Sequence, residues 1–344
     1  ERLKYKIEQA LTEGQVHWGI AYWNPGWKDG DPEPTPPAPS VEPTPTIKPV
    51  KKKRNRGRLE FPVTTEKGVP IPCIENTEAL LNHYDVVPAY NLMTHEDELF
   101  IPDFDGAADK RNNVGLATVK EWFRRRKIEL EPLHDHLTIL FAQNAYHPVA
   151  DWIRATPWDK KDRIADLLAT LQFKDTSLEY RLRMEGMFVA WACTAARAAT
   201  IPADALEGVA SQLVLVLQGD QGLYKTRWCM SLVPAGSGWA REGILLDPNS
   251  RDRVKQATNI WIGELGELDA TFKKSDIAAL KAFVTNRTDT YRSPYARLDE
   301  TVARRTVYLA TVNEPGFLHD DTGSRRFATM ALVGCNPDHN IDMQ

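Results

Sequence analysis

The sequence contains no apolar run approaching the ~18 residues that a bilayer-spanning helix needs, which excludes an integral membrane protein. It also lacks an excess of positive charge: 43 basic against 47 acidic side chains give a formal −4. Any contact with nucleic acid must therefore come from local basic clusters and not from global charge. Cysteine is scarce. Cys73, Cys193, Cys229 and Cys335 lie far apart with no C-x-x-C pair, which argues against a disulfide scaffold or zinc module and fits a reducing cytosol. No signal peptide opens the chain, and Glu1 stands where a Met would, as in a piece of something longer. What is present is ordinary in bulk. The 344 residues suit about two domains, and 42% apolar residues suffice for a sizeable core.

Proline is unevenly spread. Pro32 to Pro49 reads PEPTPPAPSVEPTPTIKP, which can neither pair as a strand nor continue a helix. Lys51 to Arg58, KKKRNRGR, follows with six positive charges in eight positions: either a solvated tail or a tether for nucleic-acid phosphate. The expected organisation is a tail of an upstream domain at 1–29, this linker at 30–58, and a small, mainly helical domain at 59–175. Helical spacing is clearest at Thr77–His83, at Leu116–Arg126, and in two helices between His147 and Leu168 broken at Thr156-Pro157. Arg124, Arg125, Arg126 and Lys127 end the second of these, as a solvated cationic helix end or a DNA-facing patch. His134, His136 and His147 have neither partner cysteines nor an H-E-x-x-H helix, so they read as core or surface histidines.

After a long helix at Leu178–Ala199 the pattern changes. Gln212–Leu217, Asn259–Gly263 and Thr306–Val312 are short apolar runs of the kind buried on both faces, with helical stretches at Lys225–Leu232 and Ser275–Thr285 between them. Alternating strands and helices predict an α/β domain with a mostly parallel sheet over 176–344.

The first strand runs into Gly219-Asp220-Gln221-Gly222-Leu223-Tyr224-Lys225-Thr226, a P-loop arrangement. Backbone N–H groups from Gly219 to Tyr224 would face phosphate, and glycines allow the close approach. Lys225, on a solvent-facing loop, would reach the β- and γ-phosphates of ATP, and the Thr226 hydroxyl would ligate Mg²⁺. The strict pattern has Gly where Tyr224 stands. A second strand ends in Glu264, for Mg²⁺ and the attacking water, with Glu267 as a base. Beyond lie Lys281 and a turn-rich stretch, Asn286–Arg297, that interleaves Arg287, Arg292 and Arg297 with Tyr291 and Tyr295. That is either an exposed hairpin with surface arginines or a single-strand contact in which Arg binds phosphate and Tyr stacks on bases. Asn313 closes the third strand as a turn residue or as an amide that positions water. Arg325 and Arg326, placed after the last strand, either pair with Asp320 and Asp321 or act in trans as an arginine finger.

Taken in order, Gly219–Thr226, Trp261–Leu268, Leu280–Tyr295, Arg304–Asn313 and Thr322–Phe327 resemble the virulence-associated protein E family, which is similar to the superfamily 3 helicase domains of phage and plasmid primase-helicases. The resemblance covers about Trp158 to the end. It implies an AAA+-like P-loop ATPase core, a ring-forming, hexameric assembly, translocation on single-stranded DNA, and work beside other replication proteins. It implies a prophage or mobile-element origin, and so the cytoplasm of a bacterial host. By position, Lys225 and Thr226 correspond to Walker A, Glu264 and Glu267 to Walker B, Asn313 to sensor 1, and Lys281, Arg287 and Arg292 to the intervening DNA-binding motif. The chain is expected to stop at Gln344, short of the family's last helical segment. Two other readings stay open: an ATP-dependent origin-binding initiator that does not unwind DNA, and a P-loop kept only for structure.

Overall fold

The computed structural model describes residues 58–102, 104–155, 157–245, 250–266, 274–291, 300–313, 326–339 and 341. The tail at 1–29 and all but the last residue of the linker lie outside them. The described residues form two compact units that divide between Pro148 and Val149.

The first unit holds helix α1 (Ile74–His83), strands β1 (Val87–Asn91) and β2 (Glu96–Phe100), helices α2 (Arg111–Arg125) and α3 (Leu133–Gln143), and the two-residue β3 (Ala145–Tyr146). β1 pairs antiparallel with β2 and parallel with β3. This small sheet was not expected, because β1 contains Pro88 and β2 is acidic, so neither reads as an apolar strand. Its hairpin turn is shaped by Asn91, whose Oδ1 accepts the Met93 and Thr94 N–H groups at 2.9 and 3.3 Å. Leu80, Leu81, Leu99, Val119, Phe123, Leu133 and Leu137 form the core. Arg124 and Arg125 at the end of α2 both lie near Glu121, at 3.8 and 3.0 Å. His136 pairs with the Thr77 hydroxyl at 2.9 Å.

The second unit begins with α4 (Pro148–Ala155), α5 (Arg163–Ala169), β4 (Leu171–Phe173) and the long α6 (Leu178–Thr200). There follow β5 (Val214–Gln218), α7 (Lys225–Met230), β6 (Ala240–Ile244), α8 (Arg251–Thr258), β7 (Ile262–Leu265) and α9 (Lys274–Thr285). The hairpin β8 (Thr288–Tyr291) and β9 (Glu300–Ala303), then β10 (Val307–Val312) and β11 (Phe327–Cys335), complete it. Among the described residues, six strands form one mixed sheet in the order β4-β11-β5-β10-β7-β6, all parallel except β4. The unit is α/β. Its boundary is not near 175, because β4 pairs with β11 and so belongs to the sheet.

Val214 to Leu217 of β5 are each fully buried, as their continuous apolar pattern requires. Val214 and Val216 join Tyr308, Ala310 and Val312 of β10 in a cluster with Leu280, Phe283 and Val284 of α9. Helix α6 packs on β5, β10 and β11. Its buried Met184, Phe188, Trp191, Ala195 and Ala198 recur every three or four residues, one face of a 3.6-residue helix. The Ser177 hydroxyl caps it by accepting the Tyr180 N–H at 3.3 Å, worth about 1 kcal/mol. Trp191 lies at the centre of this packing, 3% exposed, and its indole N–H donates to the Tyr308 carbonyl at 2.9 Å. Trp191→Ala removes both the ring and that donor, so about 3–5 kcal/mol of stability should go. Urea unfolding measures this, and a loss below about 1 kcal/mol would mean that α6 does not rely on this contact.

Two further details depart from the sequence reading. The strand expected at 259–263 is shifted and runs from Ile262 to Leu265, with Glu264 as its penultimate residue, at the C-terminal end as expected. Arg326 does not follow the last strand, since the nine-residue β11 starts at the next position. No helix among the described residues is long and apolar enough to cross a membrane.

Candidate active site

Strands β5, β10 and β7 lie side by side and run parallel, so their C-terminal ends share one edge of the sheet. Gln218 is level with Val312, which brings the loop after β5 beside Asn313. The loop needs glycine at its first position: a Cβ on Gly219 would stand 2.6 Å from the Leu332 carbonyl oxygen of β11. Gly222 takes φ +87°, open to glycine at little cost. Tyr224 also has a left-handed backbone, φ 59°, although it carries a Cβ and its ring is 63% exposed. The loop thus keeps the shape that glycine would take there, at a cost of about 1–2 kcal/mol. The Cys335 thiol of β11 faces the Leu223 carbonyl of this loop. Beneath, Cys229 is fully buried, and that burial pushes its thiol well up.

Lys225 opens α7 and is only 6% exposed, so it does not lie on a solvent-facing loop. Its Nζ donates to the carbonyls of Gly219 at 2.7 Å and Asp220 at 2.9 Å, and to Asn313 Oδ1 at 3.1 Å. The adjacent Thr226 Oγ1 is 3.4 Å from Thr311 Oγ1. Thr311 in turn donates to Glu264 Oε1 at 2.7 Å. The second oxygen of Glu264 accepts the Gly243 N–H at 2.9 Å, and the side chain is 2% exposed. Lys225, Thr226, Glu264 and Asn313, four residues drawn from a span of 89 positions, therefore meet in one place.

The hairpin β8–β9 stands on a buried ion pair. Arg304, 1% exposed, donates its Nε to Asp289 Oδ2 at 2.7 Å, and its Nη2 pairs with Asp289 Oδ1. Its Nη1 reaches the Phe283 carbonyl, and the guanidinium lies 4.2 Å over the Phe283 ring. The hairpin base is thereby fixed to the end of α9. Arg287 sits at that base, not along the strands, in an exposed pair with Glu207 at 3.2 Å. Lys281 is half-buried on α9. Arg292, Arg297, Glu267 and Arg325 lie outside the described residues. The Arg326 carbonyl accepts the Val214 N–H at 2.7 Å, at the start of β5 and β11. That is the opposite edge of the sheet from Lys225, about 15 Å away at ~3.3 Å per strand residue.

Sequence reasoning passed over Thr311, the Gly243 N–H, Cys335 and the Arg304–Asp289 pair. A signal existed for Thr311: it is the one aliphatic hydroxyl in VYLATV of β10. For Gly243 there was none, since a backbone donor carries no side-chain signature.

Residues 153–343 match the virulence-associated protein E-like domain. No curated protein matches the chain. Among solved structures, an A-form apo structure of the NrS-1 C-terminal region is similar over 77% of this chain and 62% of its own, at 12% identity and a TM-score of 0.47. An apo structure of residues 305–718 of the same region covers the same shares at 13% identity and a TM-score of 0.47. The chain thus spans less than two thirds of the length of those neighbours.

Proposed function

The chain belongs to the virulence-associated protein E-like family, and from that premise we propose that its second unit is a P-loop ATPase of AAA+ type that drives movement along single-stranded DNA during replication. What supports this reading is the meeting of Lys225, Thr226, Glu264 and Asn313 beside a glycine-bearing loop, at the strand ends where open α/β sheets bind ligands. Lys225 brings a buried positive charge to where β- and γ-phosphates of ATP would lie. The loop after Gly219, from Asp220 to Tyr224 with Gln221, Gly222 and Leu223, would supply backbone N–H groups, the Gly219 N–H being held by the Val312 carbonyl at 3.2 Å.

The donor set also suits Mg²⁺. Thr226 offers a hydroxyl and Glu264 a carboxylate, both hard oxygens, and both hydrogen-bond to the same Thr311 oxygen. Bound there, Mg²⁺ would neutralise charge building on the phosphoryl group. Glu264 is held by two donors and so orients a water with little freedom to turn away. Glu267 is the candidate base. The Asn313 amide, beside the Lys225 ammonium, would position that water. Arg326 or Arg325 would complete the site of a neighbouring copy in a ring, hexameric in this reading.

DNA contact falls to Lys281, Arg287, Arg292 and Arg297. The exposed Arg287–Glu207 pair is worth about 0–1 kcal/mol, so it leaves Arg287 available to phosphate. Hydrolysis measured with and without single-stranded DNA tests the proposal: DNA should speed it, whereas an indifferent rate would point to an assembly switch at an origin. Replacing Lys281, Arg287 and Arg292 together by Gln should weaken binding equally for all sequences, since phosphate contacts carry none. The salt dependence should flatten by about 0.7 log units per lost contact. An unchanged slope would turn attention to the basic run at Lys51–Arg58.

A further inference from the structure

We propose that Thr311 is a positioning residue that fixes the direction of the proton in the Thr226–Thr311–Glu264 chain, and so turns the Thr226 oxygen toward Mg²⁺. The inference rests on the ATPase reading of the site. Its basis is a count of protons. A threonine hydroxyl has one proton to donate and two lone pairs to accept with, whereas a carboxylate only accepts. Both oxygens of Glu264 are engaged as acceptors, Oε2 by the Gly243 N–H at 2.9 Å and Oε1 by Thr311 at 2.7 Å. Thr311 has therefore committed its one proton to Glu264. Toward Thr226, 3.4 Å away, it can only accept.

That leaves Thr226 as the donor along this contact, with its lone pairs turned away from Thr311. A metal ligand must present just this: a lone pair forward and the proton held behind. The same hydroxyl restrains Glu264, so one side chain of β10 orders two prospective ligands carried by α7 and β7. Asn313, two residues further on and just past β10, contacts Lys225, so this strand and its end reach both halves of the site. Residues standing behind metal ligands in this way are typically worth about 10–100-fold in metal affinity.

The experiment is an equilibrium titration of a fluorescent ATP analogue against the full chain over a range of Mg²⁺ concentrations, and again in EDTA. In Thr311→Val the Mg²⁺ needed for half-maximal binding should rise about 10–100-fold, while binding in EDTA stays as in the parent. Thr311→Ser, which restores the hydroxyl, should return the midpoint to within about threefold of the parent, the spread expected of a conservative change. A Thr311→Val midpoint equal to the parent's overturns the proposal, as does a Thr311→Ser midpoint shifted as far as the Val one. If Thr311→Val does not fold, Thr311→Ala is put through the same titration and decides by the same criteria. Failure of the underlying reading looks different: the parent itself would bind no nucleotide with or without Mg²⁺.

Discussion

Lys225→Ala is expected to lower ATP hydrolysis by about 10³-fold, the upper range for removing one electrostatic stabiliser from an active site. At ~1.4 kcal/mol per decade this is about 4 kcal/mol of transition-state stabilisation. The size follows from burial. A 6%-exposed ammonium acts where water screens little, so its charge is felt more strongly than that of a surface lysine. Burial also brings a structural cost. The carbonyls of Gly219 and Asp220 lose the donor that now satisfies them, for about 1–3 kcal/mol if they find no other. Lys225→Met separates these two effects from bulk loss, because it keeps most of the stem and removes the charge together with its N–H donors. Both variants should lose hydrolysis alike, with circular dichroism showing the folded chain. A Lys225→Met protein that hydrolyses ATP at the parent rate would remove the loop from the reaction.

Arg326→Ala carries the second large expectation: ATP still binds, but hydrolysis falls by about 10³-fold or more, as when an arginine finger is lost. Within one chain Arg326 cannot reach the Lys225 site, since β5 and β11 run parallel and hold the two at opposite ends. A guanidinium acting there must come from another copy. Mixing Arg326→Ala with Lys225→Ala under subunit exchange should restore part of the activity, because an intact loop can then meet an intact arginine. Arg325→Ala, tested in the same way, decides between the adjacent side chains. If Arg326→Ala instead melts earlier and mixing recovers nothing, the residue serves the fold alone.

The elements that were legible in the sequence are those whose pattern is set by burial on both faces. β5 and β10 read as strands because nearly every residue in them is apolar, and α6 because its apolar residues repeat at helical spacing. Helices α7 and α9 were bracketed within a few residues. What escaped was the interior strand β11, whose apolar pattern is interrupted by Thr329 and Gly334, together with two outer strands. β4 is three residues long, and β6, Ala240–Ile244, carries Arg241 and Glu242, so neither shows a run to detect. At the site, side chains with an evident chemistry were found and those acting through them were not. Thr311 looks like an ordinary strand threonine until its partners are known, and Arg304 like a surface arginine until Asp289 is seen opposite it.

Those two marginal strands have a consequence for aggregation. An open sheet offers unpaired N–H and C=O groups along its outer strands, and exposed edges of that kind recruit other chains. Here β4 closes one side with three residues only, antiparallel to β11 and with a register shift between Leu332 and Gly334. On the other side β6 breaks register between Arg241 and Ile244, where Gly243 takes φ +66° and turns its N–H inward to Glu264. Arg241 folds back onto the Gln256 carbonyl and Asn259 instead of lying flat along the edge. Among the described residues, neither side is a long, flat template for adding a strand. Copies of this chain that come together are thus steered away from fibre-like growth of the sheet and toward contacts made by helices and loops.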